Sequence, residues 1–171
     1  KEENENNILK DFLVTVLAKK YEDIKFFHSG SLFIYYTTKE KISDVNVMVM
    51  VAKGHDIDKT ITKKLLQDVA KLKHRNLIQL LDNNFYSDNY PRYLVTEFVS
   101  GVDLKTLMKN IGPFPLHNAK RLLMIIGDVM SNLKLKRFNH AGMRPSHIMI
   151  DLELEPEISP FDLLGIETLA I

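Results

Sequence analysis

The chain has 171 residues, 45% of them hydrophobic and 26% charged. That is the make-up of one globular domain rather than of a fibrous repeat or a disordered tail. Lys plus Arg number 23 and Asp plus Glu 22, so no global field favours nucleic acid or an anionic membrane. Cysteine is absent, which excludes a disulfide framework, a thiolate nucleophile and a zinc site built on sulfur. No apolar run approaches the length of a bilayer span. The polar start KEENENN lacks the basic and apolar regions of a secretory leader. The expected location is cytoplasmic, and Lys1 in place of Met reads as an excised or processed chain.

Apolar residues Ile8, Leu9, Phe12, Leu13, Val16, Leu17 and Tyr21 recur near a period of 3.6. They predict an N-terminal amphipathic helix over residues 1–22, its stripe packed against the rest of the domain. Asp23 to His28 and Leu32 to Thr38 flank Ser29-Gly30-Ser31 and predict a hairpin. Asp44 to Ala52 alternates valines with methionines, so both faces of this third strand are covered. Asp58 is a candidate cap for a helix carrying Ile61, Leu65, Leu66, Val69 and Leu72. Further strands are expected at Leu77 to Leu81 and Tyr93 to Phe98. A short helix follows at Leu104 to Lys109, then a long one from Leu116 to Lys136. The long helix should bury Ala119, Leu122, Leu123, Ile126, Val129, Met130 and Leu133. Short strands are expected at Ile148 to Asp151 and Glu157 to Ser159. Strands first and helices afterwards argue an α+β architecture in two lobes, with a hinge at Val99 to Gly101.

In this order the motifs resemble those of the protein kinases. YLVTEFVSGVDLKTLM is similar to the strand, hinge and following helix of that family. KLKHRNLIQLLD is similar to the end of its regulatory helix and the next strand. HAGMRPSHIMID resembles the catalytic loop H-R-D-L-K-P-x-N, and ISPFDLLG stands where D-F-G is placed. The resemblance covers about Asp23 to Gly165. It implies a bilobal fold: a five-stranded antiparallel N-lobe with one regulatory helix over residues 23–99, and a partial, mainly helical C-lobe over residues 100–171. The N-terminal helix is an addition to that fold. Only a few residues follow Gly165, so the activation segment and the peptide-binding helices of the family are missing, whether by natural truncation or by excision.

Kinase chemistry is positioning plus neutralisation of a triphosphate, and the residues that do this work are replaced. HSGSLFIY stands for G-x-G-x-x-G-x-V. Only Gly30 fits, and His28 and Phe33 would crowd phosphates that backbone amides should approach. The phosphate-holding lysine falls on Met48, with Lys53 five residues on at the strand end. The lysine's glutamate partner falls near Leu65. Between His28 and Thr96 the only glutamate is Glu40, and Asp68 is a short, displaced substitute. The catalytic aspartate falls on Gly142. The magnesium-binding asparagine falls on His147, and magnesium prefers oxygen. Pro160 stands for the D-F-G aspartate, with Phe161 kept and Asp162 displaced. Val69, His140 and Phe161 fall where the family stacks its hydrophobic column, so packing positions match and chemical ones do not.

The resemblance therefore implies a catalytically inactive kinase-like domain, a pseudokinase, that serves as an interaction or regulatory module. It implies no cofactor and no metal, and a protein partner or fused domain, with no nucleic acid or membrane. Weak, metal-independent adenine binding would rest on backbone groups at Glu97 and Val99, beside Thr96, with Gly30 in the hairpin. The alternative is a degenerate serine/threonine kinase-like domain that still binds ATP at the hinge.

Overall fold

The computed structural model describes residues 12–53, 62–85, 91–138, 142–151 and 156–158. These fall in two compact units, residues 1–58 with 80–98, and residues 59–79 with 99–171.

The first unit is a five-stranded antiparallel sheet. Its strands are β1 (Tyr21–Ser29), β2 (Phe33–Glu40), β3 (Asn46–Ala52), β4 (Leu80–Asn83) and β5 (Tyr93–Glu97), in the order β1-β2-β3-β5-β4. The Gly30 amide donates to the Phe33 carbonyl at 2.9 Å and closes the first hairpin. Asp44, expected in the third strand, instead turns the chain with φ at 61°, and β3 begins at Asn46. Alternation along β3 divides its side chains as expected. Val47, Val49 and Val51 join Tyr36 and Val95 on one face, where Phe12, Leu17 and Tyr21 cover them. Thr37, Tyr35 and Phe33 of β2 stand opposite Met48, Met50 and Ala52 on the other.

The N-terminal cover departs from the regular helix predicted. Leu13–Leu17 is a π-helical turn that runs into Ala18–Lys20. The wider repeat of a π turn brings Phe12 and Leu17, five residues apart, onto the sheet, and leaves Val16 45% exposed. Tyr21, assigned to the helix by periodicity, opens β1 as a buried residue. Ile8 and Leu9 lie outside the described residues. Lys20 anchors this corner. Its ammonium donates to Asp82 Oδ2 at 2.7 Å, lies 3.5 Å from Glu40 Oε1, and sits over the Tyr21 ring.

Burial pushes the Tyr21 hydroxyl up to about 12 and also raises those of Tyr35, Tyr36 and Tyr93. The hydrogen bond to Asp82 raises Lys20 above its ordinary range. Every one of these groups holds its proton longer in the folded chain, so stability falls as pH rises above the unfolded tyrosine value of about 10. The expected result is a urea midpoint that is flat near about pH 8–9 and declines from about pH 10. Tyr21→Phe should flatten that decline by about 1.4 kcal/mol per pH unit. A slope unchanged in the variant would show that Tyr21 titrates as it does in the unfolded chain.

Among the described residues the second unit has the helices α1 (Lys63–Ala70), α2 (Leu104–Ile111) and α3 (Leu116–Leu135). Its small sheet is β6 (Gly101–Asp103), β7 (Ile148–Asp151) and β8 (Pro156–Ile158), in the order β6-β7-β8. Asp58 lies outside the described residues, and the cap of α1 is Thr62, whose hydroxyl accepts from the Leu65 amide at 3.1 Å. Asp103 caps α2 in the same way, accepting from Thr106 at 3.0 Å. The expected strand at Leu77 begins only at Leu80. The preceding backbone is already committed, since the Leu77 amide donates to the His74 carbonyl and the Asn76 amide to His74 Nδ1. The buried face of helix α3 differs in part from the one predicted. The helix buries Ile125, Val129 and Leu133, while Leu123, expected inside, is 68% exposed. Leu104, Ile148 and Ile150 form the core of the small sheet, with Leu107, Phe114 and Leu122 against them.

Candidate functional site

On the first unit the hairpin positions carry side chains where the kinase frame needs bare amides. His28 of β1 stands opposite Tyr35 of β2, with ring centroids 5.9 Å apart. Phe33 is a core residue whose ring lies 6.4 Å from both Tyr35 and Phe85. Among the described glycines, only Gly30 stands in this hairpin.

On β3, Met48 faces Thr37 on one side and Thr96 on the other. Met50 faces Tyr35 and Leu94. Both methionines and Thr96 are buried. A shift of two along the strand from Met48, the smallest that keeps the same face, therefore brings in Met50 or Asn46. Lys53 lies beyond the strand end, exposed, its amide donating to the Leu32 carbonyl at 2.9 Å. Glu40 ends β2 beside Lys20. Glu97 ends β5 and is exposed.

In the second unit, Leu65 is half-buried in the first turn of α1, and Asp68 lies 3.7 Å from Lys71, the residue after that helix. Val99 precedes β6, and its carbonyl accepts from the Gly101 amide at 3.1 Å. Gly142 and His147, which the resemblance sets in the catalytic loop, are joined. His147 is buried in the 3-10 turn Pro145–His147, and its Nδ1 donates to the Gly142 carbonyl at 3.1 Å. A carbonyl only accepts, so this bond fixes the proton on Nδ1. The imidazole thus braces the loop. Nothing lies within 4 Å of a Cβ built on Gly142. His140, Pro160, Phe161 and Asp162 lie outside the described residues. Among those described, no group of three His, Asp or Glu side chains is placed to hold a metal.

Two features were not singled out by the sequence reading. His74 accepts from Asn76 at Nδ1, which leaves Nε2–H to donate to Asp128 Oδ2 of α3 at 3.1 Å. Tyr35 buries a hydroxyl with no hydrogen-bond partner among the described residues. The signal for Tyr35 was its place as the eighth residue of HSGSLFIY. For His74 it was the HRN break after α1, which does not reveal a partner 54 residues away. A groove of about 220 Å³ between Phe114, His117, Arg121, Ile125 and Ile150 includes none of the kinase-frame positions.

The chain aligns with solved kinase coordinates. It superposes on the structure titled Rad53 1-466 in complex with AMP-PNP with a TM-score of 0.73, over 86% of this chain and 39% of that one, at 20% identity. The fold is protein kinase-like. Curated relatives agree with it. The serine/threonine-protein kinase PrkC of Bacillus subtilis is 22% identical over 139 residues, 79% of this chain and 21% of that protein. Cysteine-rich receptor-like protein kinase 28 of Arabidopsis thaliana is 31% identical over 101 residues, 56% of this chain and 14% of that protein. The kinase-like chain spans about a fifth or less of the length of these relatives. No family model matches it. No helix among the described residues is long and apolar enough to cross a membrane.

Proposed function

We propose that this kinase-like domain is catalytically inactive and works as an interaction or regulatory module within a larger assembly. One observation carries the reading. The positions of β3 that share a face with Thr96 hold Met48 and Met50, both buried, where phosphoryl transfer requires a cation. A triphosphate in a low-dielectric site must be offset by charges and amide donors, and methionine supplies neither. The bond between Gly142 and His147 supports the same reading, because it leaves the loop braced and without a carboxylate. The much greater length of the relatives supports fusion to, or assembly with, further protein domains.

The expected outcome of calorimetric titration is no magnesium-dependent ATP binding, with adenosine and ATP equally weak and unaffected by a chelator. Labelled phosphate from ATP should not appear on the chain or on general protein substrates. Gly142→Asp, whose Cβ would meet nothing within 4 Å, should leave both results unchanged. Micromolar ATP affinity lost on chelation would replace this reading with that of a degenerate kinase that still binds ATP.

A further inference from the structure

We propose that Tyr35 is a built-in stopper that keeps the hairpin side of the first unit closed to planar ligands such as a nucleobase. The inference rests on the kinase-like reading of the Gly30 hairpin. Tyr35 is 1% exposed and lies on the same sheet face as Met50, Met48 and Thr96, reached in that order across and along β3. It thus fills the stretch of that face between Thr96 and the hairpin. The hairpin leaves no room beside it for more than a glycine. A Cβ built on Gly30 would stand 3.2 Å from Tyr35 Cε2 and 3.7 Å from its hydroxyl. The His28 ring lies against it from β1, and Phe33 packs beside it.

The ring carries this role and the hydroxyl does not. Buried polar groups are nearly always paired, and an unpaired one destabilises the fold. Phenylalanine would fill the same space without that cost, yet tyrosine stands here with no hydrogen-bond partner among the described residues. A ring held in that position occupies the room a flat ligand would need.

The test uses the full chain with Tyr35→Val, Tyr35→Leu and Tyr35→Phe, adenosine as the probe, and thermal shift plus calorimetry as readouts. Val removes the ring, and Leu removes it with less loss of volume should Val unfold. The expected result is at least tenfold tighter adenosine binding by the Val and Leu variants, indifferent to magnesium. The Phe variant should match wild type in binding and melt at a higher temperature. If folded Val or Leu variants bind adenosine no better than wild type while wild type stays blind to magnesium-ATP, the stopper is wrong and the inactive-domain reading stands. Tight magnesium-ATP binding by wild type, with Tyr35 in place, overturns both.

Discussion

Replacing Gly101 with alanine should unfold the small sheet of the second unit, at a cost of about 3 kcal/mol, the upper end of overpacking. Gly101 pairs with Asp151 across β6 and β7. A Cβ there would run into the Ile150 carbonyl oxygen and would stand 2.7 Å from the Ile150 carbonyl carbon and 2.9 Å from Asp151 Cα. These are backbone atoms, which cannot swing aside like the end of a side chain. Relief requires β6 to move off β7, which carries Ile148 and Ile150 of the core around Leu104. The measurement is urea unfolding combined with amide exchange at residues 101–103 and 148–151, where protection should be lost first. Gly127→Ala serves as the contrast. Gly127 lies within α3 with nothing within 4 Å of a Cβ, so alanine there should stabilise by about 0.5–1 kcal/mol. Equal midpoints for the two variants would refute the close approach of β6 to β7.

Leu17→Ala should destabilise the first unit by about 2–5 kcal/mol, the range for truncating a fully buried leucine. Leu17 is 0% exposed within the cluster of Phe12, Tyr21, Val47, Val49 and Val51. Its neighbour Val16, which a regular helical stripe would also turn inward, is half out of it, so Val16→Ala should cost well under about 1 kcal/mol, as surface changes do. The pair measures the phase of the π turn. Similar losses at both positions would restore the regular helix. A large loss at Leu17 alone also establishes that the N-terminal segment, an addition to the kinase-like frame, is a structural part of the sheet.

Several features of this protein are written locally in its sequence. The paired apolar alternation of residues 46–52 requires a strand covered on both faces, because a two-residue period assigns each side chain without reference to the rest of the chain. The small residues around Gly30 specify a hairpin. The absence of glutamate from residues 41–95 and the methionines of β3 are likewise plain in the sequence whatever the exact register. Features that depend on distant partners were not legible. Strand β6 is three residues long and exists because β7, nearly fifty residues later, accepts it. Leu77 and Ile78 look like strand, but the strand begins only at Leu80, because His74 has already taken the amides of Asn76 and Leu77. The phase of α3 is set by the elements packed on it, so Ile125 goes inside and Leu123 outside although both are equally apolar. Likewise the sequence shows glycine at 142 and histidine at 147. Only the tertiary structure joined them through the imidazole, and only it left the Tyr35 hydroxyl buried without a partner, because hydrogen bonding inside a fold is decided by which groups the packing brings within reach.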